Sequence, residues 1–297
     1  MTLFVFGNAA VDTSYEVPHL PQPGETLLAQ TETHDLGGKG LNQAIAAARA
    51  GARVSFWSAV GNDAPGHEIR ERVTAENIDG AGILEHAGGT DRSMIFVGPT
   101  GENTIVSTGR MAHSIYAACA QRMLDSLGPG DLLLMQGNLG KNVTGQCIRA
   151  ASRRGVHTLL NPAPIDFDYL DILSDVGTLI LNEIENQTVS GESDAGMGAT
   201  ALVRHGVKTV VTTLGPEGAS LTTARGTQRF AAPVVDAVDT TGAGDVFCGV
   251  FAAAIARGMS QAQACAWSVR AASVGVTRRG TLRAFPSADE IGLCRGA

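Results

Sequence analysis

Short apolar runs that alternate with helical stretches constrain the fold of this chain most strongly. The first run, Leu3 to Phe6, is continuously apolar and ends in a glycine, which is typical of a strand covered on both faces. Val54 to Val60 is a second candidate strand. Further runs, separated by stretches long enough for a crossover helix, occupy 131–135, 156–160, 178–181 and 207–212. This alternation predicts an α/β fold with a central, mostly parallel sheet.

Two segments do not follow this alternation. Residues 12–36 contain three prolines and one modest strand candidate, Thr26 to Thr31. Residues 93–107 have the pattern of a hairpin, with a turn at Gly98 to Glu102. We expect these segments to form a small β-sheet, a lid, inserted in a single domain that spans residues 1–297.

The composition argues against several classes of protein. A chain of 297 residues with 44% apolar and 17% charged residues can bury one large core. A net charge of −7, with 22 Lys and Arg and no evident basic cluster, argues against nucleic acid and membrane partners. The five scattered cysteines are typical of a reducing compartment. With no leader-like N-terminus and no membrane-spanning run, we expect a cytoplasmic protein.

A turn of small residues, Gly242, Ala243 and Gly244, is followed by Asp245 and an apolar helical repeat over 246–255. Such a turn leaves the backbone N–H groups at a helix N-terminus open to an anion such as phosphate. Asp245 carries the wrong charge to bind phosphate. It is therefore either a helix N-cap or a base that takes a proton from a group beside the phosphate. The chain has no Walker loop, GxSxG or HExxH motif, and no complete dinucleotide fingerprint.

Polar residues follow the predicted strands where they end. Because ligands of parallel sheets bind beyond the carboxyl ends of the strands, we expect five loops to converge: 7–12, 136–138, 161–164, 182–185 and 213–215. Asn182 and Glu185 alternatively form a capping box that only starts a helix. Lys39 lies among Gly37, Gly38 and Gly40, before an Ala-rich helix predicted over 41–50. It is either an exposed lysine or a donor to an oxygen-rich ligand.

Three motifs resemble those of the pfkB, or ribokinase-like, family of carbohydrate kinases, and the likeness extends over nearly the whole chain. They are Gly37 to Gly40 with Asn42, the NxxE motif Asn182 to Glu185, and Asp239 to Asp245. The resemblance implies a Rossmann-like α/β domain with a β lid. It also implies transfer of the γ-phosphate of ATP to a sugar hydroxymethyl group.

The same resemblance implies roles for individual residues. Asp245 is the base, and Gly242, Ala243 and Gly244 form an anion hole. The sugar hydroxyls are held by Asp12, Gly38, Lys39 and Asn42, and Asn138 is a further candidate for the substrate pocket. Asn182 and Glu185 place the phosphates and Mg²⁺, with Glu185 acting through water, while Thr213 and Gly215 lie beside the nucleotide. A monovalent cation, K⁺, has ligands at Asp239, Thr241, Gly275 and Gly280.

A homodimer through the lid is also expected. The lid has too few apolar residues for a core of its own, and four of them would otherwise be left in water: Met94, Phe96, Ile105 and Val106. The other candidate for covering them is closure of the lid over the sugar.

Two positions depart from the ribokinase pattern. Ala10 stands where an Asn is usual, and Asn138 stands where a Glu is usual. Both absent groups contact sugar hydroxyls in the resemblance, and a buried hydroxyl without its partner costs roughly 1–3 kcal/mol. Asn8 is a candidate replacement for the missing amide. The acceptor therefore stays open between ribose, a ketose, a sugar acid and a nucleoside.

Two rival functions follow. One is a nucleoside kinase of the same family, and the other is a catalytically silent sugar-binding or regulatory protein on this fold. Retention of Asp245, Lys39 and the glycines argues against a silent protein.

Overall fold

A computed structural model describes residues 1–99, 102–109 and 116–296 of the chain. In these residues the strands form two sheets. The large sheet contains β1 (Leu3–Phe6), β4 (Val54–Gly61), β5 (Asp79–His86), β8 (Leu132–Gln136), β9 (His157–Asn161), β10 (Thr178–Asn182), β11 (Thr209–Thr213), β12 (Ala219–Thr223) and β13 (Gly226–Phe230). The small sheet contains β2 (Ala10–Glu16), β3 (Thr31–Gly37), β6 (Asp91–Val97) and β7 (Asn103–Ser107).

The helices of the described residues flank the large sheet. They are α1 (Lys39–Arg49), α2 (Ala64–Ala75), α3 (Tyr116–Ser126), α4 (Lys141–Arg153), α5 (Glu183–Ser190), α6 (Ala195–Arg204), α7 (Ala243–Ala256), α8 (Gln261–Gly275) and α9 (Ala288–Leu293). The predicted Ala-rich helix is thus confirmed as α1, although it begins two residues earlier, at Lys39. No helix within 1–99, 102–109 and 116–296 has the length and apolar character needed to cross a membrane.

The large sheet has the order β13-β12-β11-β10-β9-β8-β1-β4-β5. From β11 to β5 every neighbouring pair is parallel, and β12 and β13 extend one edge as antiparallel strands. This confirms the predicted mostly parallel sheet. The strand β1 lies between β8 and β4, so all four of its residues are buried.

The core is divided by the sheet into two layers. Successive side chains of β1 point to opposite faces. Leu3 and Val5 pack in the layer that contains α1, α7 and α8, whereas Phe4 and Phe6 pack in the layer that contains α3 and α4. The first layer brings α7 against α1, and this contact positions the candidate site.

The small sheet has the order β3-β2-β6-β7, and β6 and β7 form the predicted antiparallel hairpin. Its turn includes Thr100 and Gly101, which lie outside the described residues. The predicted strand over Thr26 to Thr31 is wrong, because the strand β3 only begins at Thr31 and runs to Gly37. Gly37 pairs with Ala10 in this register, and a Cβ on Gly37 would lie 2.0 Å from Asp12 Oδ2, so a larger residue there would displace the Asp12 carboxylate.

Candidate active site

Asp245 lies in the first turn of α7, a few residues after Thr240 and Thr241, which line a cleft beside the small sheet. The N-cap is Gly242, whose φ of 76° is left-handed, so Asp245 is not the N-cap that one interpretation of the sequence proposed. A Cβ on Gly244 would meet no atom within 4 Å. The N-terminus of α7 is therefore open to a ligand, while Asp245 itself is only 6% exposed.

Two side-chain amides of α1 orient the Asp245 carboxylate. Asn42 Nδ2 donates to Asp245 Oδ2 at 2.9 Å, and Gln43 Nε2 donates to Asp245 Oδ1 at 2.9 Å. The Lys39 ammonium lies 4.0 Å from Oδ1, with its side chain 39% exposed. The charge of Asp245 raises the pKa of Lys39, and Glu185 adds a smaller effect in the same direction. The site thus combines a fixed carboxylate with an accessible cation.

Gln43 links this carboxylate to two strand ends. Its Oε1 accepts from Gln136 Nε2 at 2.9 Å, and its Nε2 also donates to Asn161 Oδ1 at 3.2 Å. Asn161 Nδ2 donates in turn to the Ile180 carbonyl at 3.0 Å. These hydrogen bonds bring together the first residues of two of the loops expected to converge, 136–138 and 161–164. Sequence reasoning missed Gln43, although it is a polar residue in an Ala-rich helix beside Asn42.

Glycines allow the close approach that makes this network possible. A Cβ on Gly249 of α7 would lie 2.5 Å from the Gln43 carbonyl oxygen of α1. A Cβ on Gly40 would lie 2.6 Å from the Gly7 carbonyl carbon at the end of β1. The helix α1 is therefore held between α7 and the end of β1. Asn8 completes this contact by accepting a hydrogen bond from the Gly40 N–H at 3.3 Å.

Asp12 lies across a cleft of about 640 Å³ between the small sheet and segments 237–241 and 279–283. It is 9% exposed, and burial raises its pKa to about 6. A hydrogen bond from Ser93 opposes this rise, while the charges of Asp35 and Asp245 add to it. Asp35 is the cross-strand partner of Asp12, so both carboxylates point to the same face. This face presents acceptors to a ligand in the cleft.

Four buried amide oxygens have no hydrogen-bond partner in the described residues, those of Asn42, Gln136, Asn138 and Asn186, and two of them, Asn42 Oδ1 and Asn138 Oδ1, belong to predicted sugar-binding residues. An unsatisfied buried acceptor costs about 1–3 kcal/mol, so each is a candidate acceptor for a ligand hydroxyl. Gly38, the N-cap of α1, has a φ of 92°, and a Cβ there would meet Ala9 Cα at 2.9 Å. Asn8, already bonded to Gly40, is committed to the start of α1.

Asn182 and Glu185 form a capping box at the start of α5. Glu185 N–H donates to Asn182 Oδ1 at 2.8 Å, and Asn182 N–H donates to Glu185 Oε2 at 2.9 Å. The structural interpretation of this motif is thus correct. It does not remove Glu185 from the site, because its charge also acts on Lys39. Thr213 is the strand partner of Asn182, and a Cβ on Gly215 would meet no atom within 4 Å, which leaves open space beside it.

The segment before α7 is held by a loop after α8. Asp239 accepts from the N–H groups of Thr241 at 2.9 Å and Gly280 at 3.0 Å. Burial alone would raise the pKa of Asp239, but these donors outweigh it and hold the pKa below its usual value. The Asp239 N–H donates to the Val276 carbonyl at 3.1 Å, next to Gly275. The four residues predicted to bind a monovalent cation therefore lie on two adjoining segments.

Among the described residues there is no group of three or more His, Cys, Asp or Glu side chains suited to hold a metal ion. Mg²⁺ commonly binds through one or two carboxylates, water and substrate phosphates. Glu185, partly exposed and close enough to influence Lys39, fits such a role.

A family model described as pfkB family carbohydrate kinase matches residues 2–288. The ribokinase of Haemophilus influenzae is 32% identical over 295 residues, which cover 97% of this chain and 96% of that protein. The ribokinase structure from Thermotoga maritima superposes with a TM-score of 0.91 at 29% identity, covering 99% of this chain and 98% of the other. The Arabidopsis thaliana ribokinase complexed with ribose and ATP gives a TM-score of 0.86 at 25% identity, with coverages of 100% and 99%.

Proposed function

The chain belongs to the pfkB family of carbohydrate kinases and is a phosphotransferase with an alcohol acceptor, and we propose that it transfers the γ-phosphate of ATP to a hydroxymethyl group of a small carbohydrate. One observation carries this proposal. The Asp245 carboxylate stands at the open N-terminus of α7, oriented by Asn42 and Gln43 at 2.9 Å each.

The proposed step needs a base and a site for negative charge. Asp245 takes the proton of the acceptor hydroxyl, whose oxygen forms a bond to the γ-phosphorus as the bond to the leaving ADP oxygen breaks. Negative charge on the transferred group meets the turn of Gly242, Ala243 and Gly244 and the Lys39 ammonium. The Ala243 N–H donates to the Thr240 carbonyl at 3.2 Å, so Gly242 and Gly244 supply the N–H donors of this turn. The open space above Gly244 supports this placement.

We assign the nucleotide to the edge formed by Asn182, Thr213 and Gly215, because open space adjoins Gly215 there. When bound, Mg²⁺ would neutralise phosphate charge, and Glu185 would hold it through water. For K⁺, both carboxylate oxygens of Asp239 already accept N–H donors. Each carboxylate oxygen keeps a further lone pair, so Asp239 and the backbone carbonyls of the segments that carry Thr241, Gly275 and Gly280 are the oxygens proposed to bind the cation.

The acceptor that we propose is a pentose or hexose. Support comes from acceptors that suit hydroxyl donors. Asp12 lines the cleft, and the Oδ1 atoms of Asn42 and Asn138 are buried and unpaired in the described residues. The relatives named above are ribokinases, and one was solved with ribose and ATP. Ala10 and Asn138 distinguish this cleft from the ribose pattern, so the acceptor has to be established by assay.

We further propose that the small sheet is a lid and also a dimer interface. Tyr15 and Phe96 stack on one face of this sheet, with centroids 5.8 Å apart, and Met94 and Val106 pair on the same face. Asp12 and Ser14 alternate with Thr13 and Tyr15 and line the cleft on the other face. Closure over a sugar would therefore leave the apolar face uncovered, which favours a second subunit there.

All five cysteines are unpaired, which supports a reducing compartment such as the cytoplasm.

A coupled ADP-release assay across pentoses, hexoses, sugar acids and nucleosides tests this function. We expect acceptor-dependent ADP release with a pentose or hexose, and release about 10²–10⁴-fold slower from the Asp245→Asn variant. Release that depends on nucleosides alone would establish the rival nucleoside kinase. If no acceptor of any class stimulates ADP release, the proposal is contradicted.

A further inference from the structure

A second cleft of about 330 Å³ lies outside the site described above. It is bounded by α4 on one side and by residues 167–172 on the other, and it shares no lining residue with the cleft of Asp12. Its volume falls in the range of small-molecule sites, about 300–1,000 Å³.

The wall that α4 provides is polar and basic. Asn142, Gln146, Arg149 and Arg153 follow one another at spacings of four, three and four residues, so they form one stripe along the helix. The opposite face of α4 is buried in the core through Cys147, Ile148 and Ala151. These basic residues are dispersed in the sequence, which is why no basic cluster is evident there.

The cations of this cleft are partly held in place. Lys141 Nζ lies 3.2 Å from Asp171 Oδ2, and an Arg149 guanidinium nitrogen donates to the Asp171 carbonyl at 3.3 Å. The Arg153 side chain, which is exposed, makes no ion pair or hydrogen bond in the part of the chain that the structure describes. Because Arg149 makes no contact with a carboxylate there either, both guanidinium groups keep N–H donors available. Paired N–H donors of this kind suit a phosphate.

The opposite wall supplies a ring and an acceptor. Phe167 is half-buried, and its ring packs on Tyr169 with centroids 4.1 Å apart. Phe167 also lines the cleft, so its ring adds an aromatic group to this wall. Asp168 borders it too, with one carboxylate oxygen accepting from the Leu170 N–H at 2.8 Å and the other oxygen left for a ligand hydroxyl.

We propose that this cleft binds a nucleoside phosphate. Arg149 and Arg153 take the phosphate, Phe167 stacks on the base, and Asp168 accepts from a ribose hydroxyl. This combination of a phosphate clamp, a flat apolar surface and a hydroxyl acceptor is complementary to the groups of a nucleoside phosphate. The site is separate from the one that binds the phosphoryl donor.

The stoichiometry of ADP binding tests the proposal. With Mg²⁺ present, calorimetric titration should give two ADP per wild-type chain and one per chain of the R149Q/R153Q double variant, with an unchanged KM for ATP. The matched control, R53Q/R204Q, removes the same charge from exposed positions and should still bind two. One ADP per wild-type chain that R149Q/R153Q still binds, or two in R149Q/R153Q, would overturn the proposal. Absence of kinase turnover, by contrast, bears only on the function proposed above.

Photolabelling with 8-azido-ADP locates the second site. We expect labelled residues within 165–172, lost in R149Q/R153Q and retained in Asp245→Asn. Phe167→Leu should weaken ADP binding at this site about ten-fold, as expected from lost stacking, while Phe167→Trp should retain it. If the affinities of Phe167→Leu for ADP and for inorganic phosphate equal those of the wild type, Phe167 does not stack on a base, and the assignment of a nucleoside to this cleft is wrong.

Discussion

Asp245 and Asp12 are two buried carboxylates with contrasting surroundings. Asp245 receives amide donors from Asn42 and Gln43, whereas Asp12 has Ser93 as a donor and two carboxylates as neighbours. The contrast separates their proposed roles. Asp245 is oriented for one proton transfer, and Asp12 is an acceptor whose burial cost is offset when a sugar hydroxyl donates to it.

For Asp245→Asn we expect a fall in kcat of about 10²–10⁴, because the base is removed while the side-chain volume is kept. KM for ATP and for the acceptor should stay within about a few-fold, since the amide still occupies the same position. The coupled assay measures both, and circular dichroism checks that the variant is folded. A folded variant with wild-type kcat would show that Asp245 is not the base.

For Asp12→Asn we expect weaker acceptor binding together with a more stable ligand-free protein. The folded pKa of about 6 exceeds the value of 3.8 for a free carboxyl, so ionised Asp12 opposes folding above pH 6. This effect declines as the pH falls from 6 to 3.8 and is absent below that range. The difference in pKa corresponds to at most about 3 kcal/mol.

Urea unfolding of wild type and Asp12→Asn at pH 8 and pH 5 measures this effect. The variant should gain more at pH 8 than at pH 5. An equal difference at the two pH values would mean that Asp12 does not titrate as its burial implies. In the wild type, KM for the acceptor should rise as the pH falls through about 6, because the protonated carboxyl is a poorer acceptor.

At the scale of elements, the strands that could be predicted from the sequence are those with continuous apolar runs. Six strands are buried along most of their length, so their apolar runs alone locate them. They are β1, β4, β8, β9, β10 and β11. Strands β5 and β13 lie at the two edges, where most of their residues are at least partly exposed, so no apolar run marks them. These edge strands are defined by backbone hydrogen bonds to neighbouring strands, which form only in the folded chain.

The site shows the same division. Asp245, Lys39 and Asn42 belong to short motifs that can be identified locally. The link from Gln43 to Gln136, Asn161 and Asp245 joins four separate segments, so only the folded structure reveals it. Gly249 likewise carries no local signal in the sequence, because its need for glycine comes from another helix.

Gly249→Ala should separate α7 from α1. The new Cβ would lie 2.5 Å from the Gln43 carbonyl oxygen and 2.6 Å from Ala46 Cβ, so one helix has to shift. We expect a loss of about 1–3 kcal/mol in unfolding free energy, together with a lower kcat. The matched control is Gly292→Ala in α9, where a Cβ meets nothing within 4 Å. Equal stability of the two variants would show that the helices are not in close contact.

Glu185→Gln separates capping from metal binding. Glutamine at this position can still accept the Asn182 N–H, so unfolding free energy should change by less than about 0.5 kcal/mol. Loss of the charge should raise the Mg²⁺ concentration for half-maximal activity about ten-fold or more. A Mg²⁺ titration of the coupled assay measures this. An unchanged requirement would restrict Glu185 to its part in the capping box.

For the whole molecule, the apolar face of the small sheet predicts a dimer. Met94 is 50% exposed and Val106 is 59% exposed on that face. Sedimentation at low micromolar concentration should therefore give about twice the chain mass of 30.7 kDa. Phe96→Asp should shift the protein toward monomer. The control Leu293→Asp, at an exposed apolar residue of α9 outside the small sheet, should not. A monomeric wild type would contradict the dimer.

The whole molecule should also respond to monovalent cations. K⁺ should activate relative to a large organic cation, because positive charge near Asp239 and Gly280 would lie beside the open end of α7. The coupled assay in matched ionic strength compares K⁺, Na⁺ and the organic cation. Equal rates in all three would remove the proposed monovalent site.

The hydrogen bond between Gln43 and Asp245 joins residues 202 positions apart, and this has a consequence for biosynthesis. At about 5–20 residues per second, a ribosome needs about 10–40 seconds to add the second partner after the first. During that interval α1 exists without α7, and the Gln43 amide has only water or other chain segments as partners. The site is therefore among the last parts of the nascent protein to form. A chain released before α7 is synthesised lacks its proposed base altogether.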